Sequence, residues 1–323
     1  MAVYTKLTNK DILFLSSAYQ IGKVIKFEGI KKGIENTNYL LKTNKEKFIL
    51  TIFEKRVHTK DLPFFMTLMD KLDQNKIICP KPLKNKKGKY LSIIKNKSAC
   101  IVTFLKGKDK THLDYKNCFD VGKNIAKFHG ATSKIHLYRE NSMSVKKLDN
   151  LLKSIKFKSK IKTLDLKSIV NKNLRDIKKE WPKNLPKGII HGDLFIDNIF
   201  FDKNKFSGFI DFYFSSNDYL MYEIAICINA LCFDKNKQKF IMNNQKINNL
   251  INGYESVRIL KKKEKDSLNV LCRGAALRYL LTRVYDYFNT PKNALIKIKD
   301  PKEYLQKLTI HNKLNSYKNY YNK

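Results

Sequence analysis

Three side chains, close together in the sequence, have the types and the spacing for one piece of chemistry. Asp193 follows His191 and Gly192, Asn198 comes five positions later, and Asp211 ends the apolar run 206–210. A carboxylate can accept the proton of an attacking hydroxyl. An amide oxygen and a second carboxylate can hold a divalent cation against phosphate oxygens. In that order and at those gaps, the three groups form the set that phosphoryl transfer to an alcohol uses. That reaction depends on positioned oxygens and neutralised charge more than on covalent help. Each residue alone says little, and a hairpin carrying two turn aspartates would look similar. The combination carries the argument.

The elements that must position these groups can also be read. Ile189 and Ile190 open the segment as β-branched residues. The runs 199–201 and 206–210 flank a turn at 202–205, as a hairpin requires. The expectation is that Asp193, Asn198 and Asp211 meet at one end of that hairpin. Upstream, strand-like runs at 24–28, 39–43 and 48–53 enclose a loop holding Gly33, Asn36 and Asn38. Backbone N–H groups of such a loop can cradle phosphates, although Gly and Asn also mark ordinary hairpin turns. Further strands are expected at 90–94 and 99–105. The second ends at Lys106-Gly107, a hinge where Thr103, Phe104 and Leu105 could offer backbone groups to an adenine ring.

Helices are expected at 9–19 behind a Thr8 or Asn9 cap, with Ile12, Leu13 and Leu15 apolar, and at 61–74, capped by Asp61 with Pro63 in its first turn. After the hinge the apolar period changes to that of helices. Helices are expected at 115–129, 166–181, 222–233, 243–256 and 263–287; residues 131–165 are weakly patterned. The plan is α+β: residues 1–105 form a strand-rich nucleotide-binding lobe with one main helix. Residues 106–323 form a mostly helical lobe holding the catalytic loop and an acceptor pocket.

Composition bounds the function. The 323 residues are 43% hydrophobic, with 20 Phe and 17 Tyr against 12 Gly and 7 Pro, which is a globular composition without long flexible linkers. The net charge is +36, from 65 Lys+Arg against 29 Asp+Glu. The lysines run along the whole chain, and no zinc-finger spacing, RNP-like strand or basic heptad helix accompanies them. They read as a lysine-rich background that can steer anionic nucleotides, and no nucleic-acid partner is expected. Six cysteines without a CxxC pair suit reduced core positions in a cytoplasmic protein. His129 reads as a satisfied, partly buried side chain. No signal peptide or membrane-length apolar run is present, so no membrane partner is expected. Oligomeric state is not legible.

The segment HGDLFIDNIFF…GFIDF resembles the catalytic stretch of aminoglycoside-phosphotransferase-like kinases, a branch of the protein-kinase-like superfamily in which a small residue follows the His. MAVYT, KGIENTNYLL, FILTIFEKR, DLPFFMTLMDKL, CPKP, VTFLKG, IDFYFSSND, RGAALRYLLTRVYDYFNTP and KDPKEYLQKL are similar to the bacterial homoserine kinases of that superfamily. The resemblance spans nearly the whole chain and is weakest over 131–180. It implies a bilobal protein-kinase-like fold and ATP- and Mg²⁺-dependent phosphorylation of the L-homoserine hydroxyl for threonine synthesis. It implies Asp193 as base or hydroxyl-orienting group, Asn198 and Asp211 as Mg²⁺ ligands, and the Gly33–Asn38 loop over the triphosphate.

Two departures stand out. Thr51 occupies the third-strand position where the superfamily usually carries a phosphate-gripping Lys, for which Lys42, Lys55 or Arg56 could substitute. Glu223 stands where related kinases often show Asp. For the acceptor, Arg278 and Arg283 could clamp a carboxylate, with Asp218 or Asp286 for the ammonium. Alternatively, these charges simply pair on a helix face, Arg283 with Asp286. Competing readings are a kinase for choline, methylthioribose or an aminoglycoside, and a basic nucleotide- or RNA-binding scaffold. The arginine-bearing final helix and the intact Asp193, Asn198 and Asp211 argue against them.

Overall fold

The computed structural model describes residues 3–31, 36–54, 57–157, 161–290 and 298–321, with 161–164 described by backbone alone. Gly33, Lys55 and Arg56 lie outside the described residues. The chain divides into two compact units. The first is Met1–Gly107 with Ser207–Tyr213, and the second is Lys108–Phe206 with Phe214–Lys323.

The first unit contains α1 (Asn9–Ala18), β1 (Val24–Gly29), β2 (Thr37–Thr43), β3 (Lys47–Ile52), α2 (Leu62–Gln74), β4 (Leu91–Ile94) and β5 (Lys97–Thr103). Its five strands form one antiparallel sheet in the order β1-β2-β3-β5-β4. α1 and α2 answer to the helices expected at 9–19 and 61–74. The two-residue period of the strands sorts their side chains. Tyr39, Leu41, Leu50, Ile52, Ala99 and Ile101 join Ile12, Leu15 and Tyr19 in one buried cluster. Thr51 and Cys100, in register with each other, belong to the other face, beside Tyr213 and through it Phe65 of α2. Thr8 caps α1 in a reciprocal box with Asp11. Leu13, expected among the apolar positions, is 65% exposed. Asp61 makes no capping hydrogen bond to α2; it ends a short 3₁₀ turn that leads into the helix.

The second unit contains α3 (Tyr115–Thr132), α4 (Leu148–Ser154), α5 (Ile161–Glu180), β6 (Lys187–Ile190) and β7 (Ile199–Asp202). Next come β8 (Lys205–Phe209), which runs on into the first unit, β9 (Ser216–Tyr219), α6 (Leu220–Leu231), β10 (Phe233–Asn236) and β11 (Lys239–Met242). The chain ends with α7 (Asn244–Glu255), α8 (Lys262–Asp266), α9 (Leu268–Asn289) and α10 (Lys302–His311). The hairpin read from the sequence is β7–β8. Lys203 and Asn204 both take positive φ, 45° and 65°, as a two-residue primed turn demands. The core of the second unit is α6, buried along almost its whole length and packed on α9, which also packs on α10. α3 and α7 cross at glycines: a Cβ on Gly122 would overlap the Leu250 carbonyl, and one on Gly253 would overlap that of Phe119.

Further readings need correction. The expected helix 263–287 is two helices, broken at Ser267. The expected helix end at 233 is instead the start of the β10–β11 hairpin, and α10 was not foreseen. All six cysteines are buried and unbridged. His129 is more deeply buried than expected, at 2% exposure, with Nδ1 2.9 Å from the Tyr254 hydroxyl. Among the described residues, no helix is long and apolar enough to cross a membrane.

Candidate active site

The second unit builds the loop that carries Asp193. Strand β6 pairs antiparallel with β9, Ile190 opposite Ser216, and delivers His191, Gly192 and Asp193 beyond its end. Gly192 sits at φ +79°, where a side chain is strained, and a Cβ there would lie 2.9 Å from the Phe214 carbonyl oxygen. This is the physical reason for a small residue after the histidine. Glu223, in the first turn of α6 and fully buried, accepts the N–H of His191 and that of Gly192, the latter at 3.1 Å. Burial pushes its carboxyl up to about 7, while the two N–H bonds and the Arg278 charge pull the other way. On the other side, the Gly192 carbonyl accepts from Arg278 Nη1 at 2.9 Å and from the Tyr279 hydroxyl at 3.2 Å. That hydroxyl also lies 3.3 Å from Asp193 Oδ1, and the Phe195 ring packs edge-on against Tyr279 at 4.8 Å.

Asn198 is brought against Asp193, as its spacing predicts. Its Nδ2 donates to the Asp193 carbonyl at 2.8 Å, and it is 8% exposed. With the amide nitrogen held there, Oδ1 is the end turned elsewhere, as an oxygen ligand would be. Asp211 belongs to the first unit, where it is exposed beyond the end of β8 with φ +64°. Two residues on, Tyr213 is packed edge-on against Phe53 at 5.0 Å and Phe65 at 5.7 Å. Burial raises the Tyr213 hydroxyl pKa well above its usual value, with Cys100 and Thr51 beside it.

The residues expected to meet nucleotide lie in the first unit. Thr51 is 3% exposed, and its hydroxyl donates to Asn38 Oδ1 at 2.8 Å. The usual lysine position is therefore a small, packed residue tied to a neighbouring strand. Lys42 pairs with Glu28 at 3.4 Å. A further cation unremarked in the sequence, Lys97, pairs with Glu54. Lys97 alternates in phase with Ala99 and Ile101, so it belongs to the α1 side of the sheet and not to the face of Thr51. Asn36 is buried and accepts the Glu54 N–H at 3.4 Å. At the hinge, the Thr103 N–H is bonded to the Lys81 carbonyl at 2.9 Å and the Phe104 N–H to that of Lys47 at 3.3 Å. Of the three expected hinge residues, Thr103 and Phe104 therefore have their N–H groups engaged within the protein.

The acceptor candidates are placed as follows. Arg278 is 3% exposed and bonded to Gly192. Arg283 pairs with Glu303 at 2.6 Å, donates to the Asp300 carbonyl at 3.0 Å and lies over the Tyr304 ring at 4.4 Å. That ion pair reaches across to α10, and Asp286, three positions along α9, is half-buried. Asp218 accepts from Asn141 Nδ2 at 2.6 Å and from the Tyr219 N–H at 2.7 Å, and burial raises its pKa against these bonds. Sequence reasoning missed Tyr279 and Asn141. It noticed Glu223 only as a departure. The one available signal was Tyr279's place beside Arg278 on a helix already singled out.

Comparison with known proteins gives a consistent result. A profile of the phosphotransferase enzyme family (APH) matches residues 26–260. The homoserine kinase of Rhizobium meliloti (strain 1021) is 41% identical over 311 residues, 96% of this chain and 94% of that one. The homoserine kinase of Paramagnetospirillum magneticum is 42% identical over 317 residues, 96% of each. Among solved structures, an amicoumacin kinase in complex with AMP-PNP and Ca²⁺ superposes with a TM-score of 0.71 over 95% of this chain and 92% of that one. At 14% identity, that likeness concerns the fold alone.

Proposed function

Because the chain belongs to the phosphotransferase enzyme family, we propose that it is a homoserine kinase, transferring the γ-phosphoryl group of ATP to the side-chain hydroxyl of L-homoserine. The observation that carries this reading is identity of 41–42% to homoserine kinases over nearly the full length of both chains. The fold is the α+β, protein-kinase-like one of this family, and the catalytic segment has the residues that the reaction needs.

In this reading the Asp193 carboxylate accepts a hydrogen bond from the homoserine hydroxyl and orients its oxygen for attack. It takes the proton as the bond to phosphorus forms. Homoserine leaves as O-phospho-L-homoserine and ATP as ADP. The donor set fits a magnesium ion: Asn198 Oδ1 and the Asp211 carboxylate are hard oxygen ligands, and such an ion takes one or two of these beside phosphate oxygens. When bound, it neutralises charge on the phosphates. The packed Thr51 offers no cation, so the phosphate-binding cation of this chain is sought outside that position. Leu105 is the hinge residue whose N–H would meet the adenine.

The test is a coupled ADP-release assay with Mg²⁺ and ATP, run across homoserine, serine, threonine, choline, methylthioribose and kanamycin. Release that depends on homoserine, well above that with serine, is expected. Strong turnover of choline or methylthioribose, with homoserine no better than serine, overturns the assignment.

A further inference from the structure

We infer that Arg278 and Tyr279 are positioning residues for the transfer step, and that Arg278 acts through Gly192 rather than by clamping the acceptor's carboxylate. The inference rests on Asp193 being the catalytic group of the proposed function.

The argument begins with the freedom of glycine. Gly192 has no Cβ and sits at φ +79°, so the two peptide planes flanking its Cα are the least restrained joints in the loop. The residue after it is Asp193, and a rotation at Gly192 swings that carboxylate. Both planes are held. Glu223 takes the N–H of Gly192, in the peptide before its Cα, together with the N–H of His191. Arg278 and Tyr279 take the Gly192 carbonyl, in the peptide after its Cα, at 2.9 and 3.2 Å. Tyr279 adds a direct contact, with its hydroxyl 3.3 Å from Asp193 Oδ1. Successive residues on a helix ordinarily face different ways. Here the guanidinium folds over the neighbouring ring, 4.8 Å from its centroid, and the two side chains reach one oxygen. The Phe195 and Tyr304 rings pack on Tyr279 at 4.8 and 5.2 Å and hold that ring in turn.

Burial separates this role from acceptor binding. Arg278 is 3% and Tyr279 7% exposed. Arg278 brings a fixed positive charge to the buried Glu223 and the half-buried Asp193, both of which act on it electrostatically. One donor of Arg278, Nε–H, is buried without an acceptor. That donor is the one a carboxylate clamp would use, so the experiment must separate the two roles.

The experiment compares Arg278→Met, Arg278→Lys and Tyr279→Phe with the unaltered enzyme. Acceptors are L-homoserine and 3-amino-1-propanol, which is homoserine without its carboxylate. Misplacement of a reacting group by about 1 Å costs on the order of 10²-fold in rate. Arg278→Met is therefore expected to lower kcat by roughly that factor for both acceptors, with both KM values nearly unchanged. Arg278→Lys should recover part of it. Tyr279→Phe removes one oxygen, keeps the packed ring and should fold normally; the loss of about one hydrogen bond predicts a fall of about tenfold in kcat. A rise in the homoserine KM alone with Arg278→Met, together with loss of the preference for homoserine over 3-amino-1-propanol, would assign Arg278 to the carboxylate and overturn the inference. Unchanged kcat in Tyr279→Phe would do the same for Tyr279. Failure of the functional reading looks different: the unaltered enzyme would release no ADP with homoserine, and the same variants would then be read with whichever acceptor it does use.

Discussion

At the scale of single residues, the proposed roles of Asp193 and Asp211 call for different substitutions. Asp193→Asn keeps shape and most hydrogen bonding but cannot take a proton. It should reduce kcat and kcat/KM together by ~10²–10⁴-fold, with little change in the KM for ATP, measured by initial-rate kinetics. A loss confined to the homoserine KM would make Asp193 a binding group instead. Asp211 calls for a different substitution. Its φ of +64° makes alanine strained, whereas asparagine tolerates that conformation. If Asp211 holds the metal as proposed, Asp211→Asn should keep its circular dichroism and melting temperature, the position being exposed, and lose turnover. The segment that holds Asp193, Asn198 and Asp211 is legible because it depends on spacing within one short stretch. The partners of the loop were not. Glu223 lies 31 positions from Gly192, and Arg278 and Tyr279 lie 86 and 87 positions from it. No local pattern announces contacts of that range.

At the scale of elements, most strands and long helices follow from apolar periodicity, and the misses have physical causes. The break at Ser267 leaves that residue in helical backbone, φ −86° and ψ −6°, with no Gly or Pro to mark it. The β10–β11 hairpin is largely exposed and turns on Lys237 at φ +53°, a residue that rarely marks a turn. The α3–α7 crossing offers a sharper test of packing. Gly122→Ala or Gly253→Ala would force a methyl into a facing backbone carbonyl. Overpacking of this kind costs about 1–3 kcal/mol, sometimes more, so a drop of roughly 2–12 °C in melting temperature is expected for a unit of this size. Gly130→Ala, on the exposed side of the same α3 with nothing near the added methyl, should raise the melting temperature slightly, through helix propensity. Equal effects at Gly122 and Gly130 would contradict the crossing.

At the scale of the whole molecule, three buried groups set an acid response. Burial holds His129 and His311 neutral, each down to about 3 from 6.5. Between these values the unfolded chain binds a proton at each and the folded chain does not, so their contribution to stability is lost as pH falls below 6.5. Glu223 works against them. Its carboxyl is raised from 4.5 to about 7, so between those values the folded chain holds a proton that the unfolded chain lacks. From pH 6.5 to 4.5 the two histidines take up protons on unfolding and Glu223 offsets part of that uptake, so stability falls as the pH falls. Glu223→Gln removes the opposing group, and its urea midpoint should fall more steeply over that range than that of the unaltered protein. A shallower fall would contradict the account. The central claim, phosphoryl transfer to homoserine, is tested most directly by competition in one vessel. Equimolar L-homoserine, serine, threonine, choline and 3-amino-1-propanol are incubated with the enzyme, ATP and Mg²⁺, and the phosphorylated products are identified by mass spectrometry. The account predicts that O-phospho-L-homoserine dominates and that Asp193→Asn makes almost none; a dominant phosphorylated product from any other acceptor in the mixture would contradict it.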